Sequence, residues 1–85
     1  MRYQIFITPN IEESLEGAQP IGAANSYLEV CKEINNYLSV NNFHQEPYWR
    51  FLMEKEATFI DYGSWSKFIA IVPPLSIEDM SGDKQ

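Results

Sequence analysis

Hydrophobic and polar residues alternate with a period of two in three successive stretches of the second half of the chain, at residues 48–53, 57–62 and 67–72. Alternation of this kind, rich in aromatic and β-branched residues, is typical of β-strands. Charged residues at 54–56 separate the first two runs, Gly63 and Ser64 follow the second, and two prolines follow the third. Because glycine favours turns and proline cannot donate to a ladder, the pattern predicts three consecutive strands in a meander.

Short hairpins between these strands decide which residues face each other across the predicted sheet. Phe51 is expected opposite Ile60, and Ile60 opposite Ile69. The same register sets Arg50 opposite Asp61 as a cross-strand pair of opposite charge. The face with the purer hydrophobic content is the predicted core face, and it carries Trp49, Phe51, Met53, Ile60, Ile69 and Ile71. A slip of one residue would exchange the two faces.

The beginning of the chain predicts one further strand and a short helix. Alternation over residues 2–8 ends at Pro9 and predicts the first strand. Asn10 is a suitable cap for a short helix over residues 11–16, with acidic residues in its first turn. The Gly/Pro/Ala-containing segment 17–24 is expected to be a connector.

The main helix is predicted over residues 26–40. Ser26 followed three residues later by Glu29 is a capping box, which marks a helix start. Apolar residues then recur at helical spacing, at Tyr27, Cys31, Ile34 and Leu38. Cys31 therefore falls on the expected apolar stripe, where a small core residue is more common than a reactive thiol.

These elements predict an α+β fold with a four-stranded, largely antiparallel sheet in the order β-α-α-β-β-β and the main helix packed on one face. The first and last strands have apolar residues on both sides, which makes them candidate neighbours. Residues 1–74 are expected to form a single α+β domain. Residues 75–85, which are acidic and poor in hydrophobic residues, are expected to form a mobile tail.

Composition and charge narrow the classes of function. Twelve acidic residues against six basic ones give a net charge of −6, and the basic residues are scattered. Direct binding to a nucleic-acid backbone is therefore not expected. No run reaches membrane-spanning length, and no secretion signal follows Arg2. With Cys31 as the single cysteine, the composition fits a reducing compartment, so we expect a cytoplasmic location.

The residues that could catalyse a reaction or bind a metal do not form a recognisable site in the sequence. His44 is expected in a loop and Cys31 in a helix stripe, whereas a nucleophile needs a base within hydrogen-bond reach. Glu12, Glu13 and Glu16 lack the spacing of a calcium loop. We therefore expect a protein that is not an enzyme, with no catalytic residue, no cofactor and no metal site.

The second face of the predicted sheet is the feature that predicts a function. It carries Leu52, Phe59, Phe68, Ala70 and Val72, whereas the main helix covers only the first face. A contiguous apolar patch of this kind is expected to be shielded from water by packing against something else. The candidates are the segment 9–24, a second copy of the chain and another protein. The predicted protein-binding residues are Tyr48, Leu52, Phe59, Asp61, Trp65 and Phe68.

The sequence thus predicts a small acidic protein-binding module, with a basic partner favoured by its charge. The expected role is inhibition of a basic or nucleic-acid-binding protein, in the manner of the anti-CRISPR, antitoxin and immunity proteins of phages and mobile elements. Two alternatives remain open. One is a homodimeric structural or adaptor protein. The other is a small enzyme, or an enzyme subunit completed by a partner, that uses Arg50, His44, Asp61 and Tyr62 in a concave pocket.

Overall fold

The structure, a computed structural model, describes residues 2–9, 15, 17–41, 49–64 and 67–81. The elements within these residues are β1 (Tyr3–Thr8), β2 (Gln19–Ala24), α1 (Tyr27–Val40), β3 (Arg50–Met53), β4 (Thr58–Asp61), β5 (Phe68–Val72) and α2 (Ile77–Ser81). The strands form one antiparallel sheet in the order β2-β1-β5-β4-β3. The α+β class, the antiparallel sheet and the main helix are confirmed. The prediction of four strands and of the β-α-α-β-β-β order was wrong.

The additional strand is β2, which occupies most of the segment predicted as a connector. Its sequence, QPIGAA, has few β-branched or aromatic residues, so its strand signal is weak. β2 pairs only with β1, with Tyr3 opposite Ala24 and Phe6 opposite Pro20. An edge position tolerates proline, because only one side of the strand has to donate hydrogen bonds. The short helix predicted over 11–16 lies outside the described residues, apart from Leu15.

The predicted pairing of the other strands is confirmed. Arg50 lies opposite Asp61 and Phe51 opposite Ile60 in the β3–β4 hairpin, and Ile60 lies opposite Ile69 between β4 and β5. Gly63 follows β4 with φ of 103°, a conformation that glycine adopts without strain. The first and last strands are neighbours, as expected, so that β1 and β5 form the middle of the sheet.

Helix α1 begins as its sequence predicts. The Ser26 hydroxyl accepts a hydrogen bond from the Glu29 N–H at 3.2 Å, and the Glu29 carboxylate accepts one from the Asn25 N–H at 2.9 Å. The buried positions of the helix are Val30, Ile34 and Leu38. Val30 therefore holds the central place that the sequence pattern gave to Cys31, which is only half-buried. The helix lies mainly over β2 and β1.

The main core lies between the sheet and α1. Its buried members are Tyr3, Ile5, Ile7, Ala24, Val30, Ile34, Leu38, Ile60, Tyr62, Ile69, Ile71 and Leu75. Three members of the predicted core face, Ile60, Ile69 and Ile71, are among them. Each Å² of apolar surface that this cluster removes from water contributes roughly 25 cal/mol to stability. The cluster is therefore the main source of the protein's stability.

The segment predicted as a mobile tail begins with a buried residue. Leu75 is 3% exposed, and its N–H donates to the Thr58 hydroxyl oxygen at 2.8 Å. The Ser76 hydroxyl then accepts from the Asp79 N–H at 3.0 Å at the start of α2, and the Asp79 carboxylate accepts from the Tyr3 hydroxyl. Packing thus continues past residue 74, the predicted end of the domain. The mobility of the segment stays a prediction.

Two helices, α1 and α2, lie within the described residues. None of them combines the length and the apolar character required to cross a bilayer. The longer one, α1, has 14 residues, and its exposed side carries charged residues such as Lys32 and Glu33.

Candidate functional site

The second face of the sheet has a small core of its own. Ala57, Phe59 and Ala70 are buried there, and Leu15 is among the apolar residues that pack against them. Leu15 belongs to the segment 9–24, which was one of the three covers predicted for this face. The centre of the face is therefore buried by the chain itself, and the surface open to another molecule lies toward its margin.

Four of the six predicted binding residues share this face on three adjacent strands. Leu52 of β3 lies directly opposite Phe59 of β4, Asp61 follows on β4, and Phe68 belongs to β5. Leu52 and Phe68 are half-buried. Phe59 is 1% exposed, so its side chain belongs to the buried part of this face. Tyr48 and Trp65 lie outside the described residues. A contact between these residues and a partner stays a prediction.

The other side of β3 is more open than its sequence predicts. Met53 was assigned to the core face but is 47% exposed, and Phe51 and Trp49 are only half-buried. The ring of Phe51 lies 6.4 Å from that of Trp49 and 6.5 Å from that of Tyr27, in tilted arrangements typical of aromatic pairs. Because α1 lies over β2 and β1, this end of the core face is not fully covered.

The backbone of β3 has one unpaired side among the described residues, where β3 is the last strand of the sheet. The Glu54 N–H donates to the Ala57 carbonyl at 3.0 Å, which makes these two residues a hydrogen-bonded pair. Such pairs alternate along an antiparallel ladder. The N–H and C=O groups of Leu52 therefore face β4, and those of Phe51 and Met53 face away from it.

The two edges of the sheet differ in how they are protected. β2 contains Pro20, and its ladder with β1 has a register shift between Ile5 and Phe6. Proline and bulges are common means of blocking the addition of another strand. β3 has neither within Arg50–Met53, and three of its four residues are apolar. We call residues 49–54, with their outward backbone groups, the β3 margin.

A small cleft adjoins the β3 margin at the turn between β3 and β4. Its volume is about 180 Å³, and it is lined by Glu54, Lys55, Glu56, Ala57 and Phe59. Its apolar lining comes from the buried residues Ala57 and Phe59, and its polar lining from Glu54, Lys55 and Glu56, which bring two carboxylates and one ammonium group. This combination suits a side chain with an aliphatic stem and a cationic head, such as lysine or arginine.

The residues named for the enzyme alternative are brought together only in part within the described chain. Arg50 lies opposite Asp61 in the β3–β4 pairing. Asp61 lies on the second face, where its carboxylate accepts a hydrogen bond from the Gly63 N–H at 3.0 Å. Tyr62 is buried in the core on the helix side, and that burial raises the pKa of its hydroxyl. Neither Arg50, Asp61 nor Tyr62 lines the cleft described above. His44 lies outside the described residues.

The histidine, cysteine, aspartate and glutamate side chains that the structure describes form no group of three or more able to hold an ion. Buried side-chain nitrogen and oxygen atoms in the described part of the chain all have hydrogen-bond partners. The described interior thus offers no unsatisfied polar group that points to a bound ligand.

Comparison with known proteins gives no functional lead. No family model, no curated protein and no solved structure matches this chain.

Proposed function

We propose that this chain is a small acidic protein-binding module without catalytic activity, and that it binds through the β3 margin. The observation that carries the proposal is the unpaired side of β3, flanked by Phe51 and Met53 on one face and by Leu52 on the other. In strand addition, main-chain hydrogen bonds supply affinity and alternate side chains supply specificity. β3 offers both within four residues.

The class of partner that suits this margin is a protein with a basic, extended segment. The cleft beside the margin has an apolar part, and its two glutamates outnumber its one lysine, so a lysine or arginine next to the added strand suits it. The net charge of −6 favours the approach of a positively charged protein. Such a module acts as an inhibitor when the captured segment belongs to the partner's own nucleic-acid-binding surface.

The first prediction tests the margin by comparing immobilised variants in a pull-down from native lysate. Met53→Pro removes an N–H that faces away from β4, so no main-chain hydrogen bond within the sheet is lost. It does remove the Met53 sulfur, which accepts from the Thr58 hydroxyl at 3.7 Å. Leu52→Asp places a charge on the half-buried second-face side of β3. Both variants should lose the partners that the wild-type protein retains, because strand addition needs the N–H and an apolar contact.

The matched control is Leu28→Asp, which introduces the same charge at a residue of α1 that is 58% exposed. This control should retain the wild-type set of partners, and their capture should weaken as salt is raised. Circular dichroism verifies that each variant is folded. Equal capture by wild type and by folded Met53→Pro would remove the β3 margin from the proposal.

A further inference from the structure

We infer that the β3 margin also pairs with the β3 margin of a second copy of this chain, antiparallel and centred on Leu52. The inference rests on the proposed function, because it uses the same surface. It specifies what occupies that surface, a second copy of the chain, and the register in which the two strands pair. It would join the two five-stranded sheets into one continuous sheet across a two-fold axis. Joining them removes the unprotected edge that each copy presents alone.

The backbone restricts how two copies can pair. The N–H and C=O groups that face outward belong to Phe51 and Met53. When Leu52 faces Leu52 of the partner subunit, Phe51 comes opposite Met53 of the partner subunit, and Met53 opposite the partner's Phe51. Each of these two positions is a hydrogen-bonded pair with two N–H···O=C bonds. The register thus uses all the outward groups of both strands.

Side chains match in the same register. Arg50 comes opposite Glu54 of the partner subunit, and the two-fold axis repeats this pair of opposite charges. On the second face the two Leu52 side chains meet, and on the helix side each Phe51 ring lies beside a methionine, a favourable contact. Opposite-charge and apolar cross-strand pairs both stabilise a sheet.

Registers displaced by two residues keep the hydrogen bonding but lose this match. One of them sets Arg50 opposite the partner's Leu52, and the other sets Leu52 opposite the partner's Glu54. Among these registers, only the one centred on Leu52 pairs charge with charge and apolar with apolar over residues 50–54. A strand with a cation at one end, an acid at the other and an apolar middle is complementary to itself, as a two-fold contact requires.

The second prediction uses charge reversal, read by sedimentation over a range of protein concentrations. Wild type should associate into a dimer. Arg50→Glu or Glu54→Arg alone should each weaken dimerisation by about tenfold or more, because two like-charge contacts replace two attractive ones. The double variant carrying both changes should restore dimerisation, since it exchanges the charges and keeps the register.

Lys32→Glu, a reversal on the exposed side of α1, is the control and should dimerise like wild type. Hydrogen exchange of wild type supplies a measurement that needs no variant: the Phe51 and Met53 amides should become protected as concentration rises. A wild-type protein that stays monomeric up to millimolar concentration, or amides whose protection does not change, would overturn the inference. Because Arg50→Glu also places a like charge opposite Asp61 within the same chain, circular dichroism must show that the double variant is folded. Failure of the folded double variant to recover would overturn the register.

The same variants separate this inference from the proposed function. If wild type is monomeric and Met53→Pro no longer captures the partners of wild type, the proposed function stands and the dimer is refuted. The opposite result is a dimer that is weakened by each single charge reversal and restored by the double variant, while Met53→Pro still captures the same partners from lysate. That result would establish self-pairing and refute capture of other proteins at this margin.

Discussion

Tyr3 shows how one buried polar residue links the two ends of the described chain. Its side chain lies in the core, and its hydroxyl donates a hydrogen bond to the Asp79 carboxylate of α2. Burial is the main reason that the pKa of Tyr3 rises to about 12, and the bond to Asp79 and its charge add to the effect. The folded state therefore favours the neutral phenol.

The third prediction concerns stability at alkaline pH. The folded pKa of about 12 lies above the ordinary value of 10.0, so stabilisation by Tyr3 is complete below pH 10 and is lost as pH rises through 12. The full shift sets an upper limit of about 3 kcal/mol, which solvent screening of the part-buried hydroxyl reduces. Tyr3→Phe cannot ionise, so urea unfolding from pH 7 to 12 should show a smaller alkaline decline.

Tyr62 provides the comparison within the same experiment. Its pKa is also raised by burial, so it continues to contribute an alkaline decline of the same sign in the Tyr3→Phe variant. At neutral pH the Phe variant should lose about 1.5–3 kcal/mol, the usual value of one hydrogen bond to a charged group. Parallel alkaline curves for wild type and Tyr3→Phe would contradict the role given to Tyr3.

At the scale of elements, the sequence predicts what is local and strongly patterned. β3, β4 and β5 follow one another through short turns, and their alternation fixes the register in which Phe51, Ile60 and Ile69 align. β2 was missed because it is an edge strand that contains Pro20 and small residues. Main-chain pairing with β1 holds it in the sheet, and such pairing does not require an alternating pattern of apolar side chains in the sequence.

The candidate site was predicted only in part, for a related reason. Alternation correctly separated Leu52 from Phe51 and Met53, but it does not say which strand lies farthest from the helix. Burial of Met53 depends on where α1 crosses the sheet, and α1 lies over β2 and β1. The position of β3 at the edge likewise follows from β1 pairing with β5, a contact between distant parts of the chain.

The fourth prediction concerns the segment that precedes α2. Leu75→Ala should lower the free energy of unfolding by about 2–5 kcal/mol, because a side chain that is 3% exposed leaves a cavity in the core. Ile77→Ala is a matched control two residues later, where the side chain is 77% exposed. It should change stability by no more than about 0.5 kcal/mol in denaturant unfolding. Equal effects would mean that Leu75 is not docked.

For the molecule as a whole, strand order predicts a gradient of stability across the sheet. β1 and β5 are paired on both sides and carry Ile5, Ile69 and Ile71, all fully buried. β2 and β3 are each paired on one side in the described sheet. Local opening costs least where few buried contacts and hydrogen bonds are broken.

The fifth prediction is therefore a pattern of amide hydrogen exchange at low protein concentration. The amides of β1 and β5 should exchange most slowly, and the outward amides of Phe51 and Met53 among the fastest in the sheet. Two-dimensional NMR after transfer to deuterated water measures the rates. Slow exchange of Phe51 and Met53 in dilute monomer would show that their N–H groups are already bonded within the chain.

The place of β5 between β1 and β4 has a consequence for biosynthesis. β5 is the last of the five strands to leave the ribosome, yet it alone joins β1, made some sixty residues earlier, to the β3–β4 hairpin. Until residue 72 has emerged, the nascent chain holds two separate pieces, each with an unpaired strand edge beside exposed isoleucines. Completion of the core is deferred until β5 has been synthesised, because long-range strand pairing cannot begin before its second strand exists. A message truncated before β5 therefore yields a product suited to aggregation or proteolysis rather than a smaller working protein.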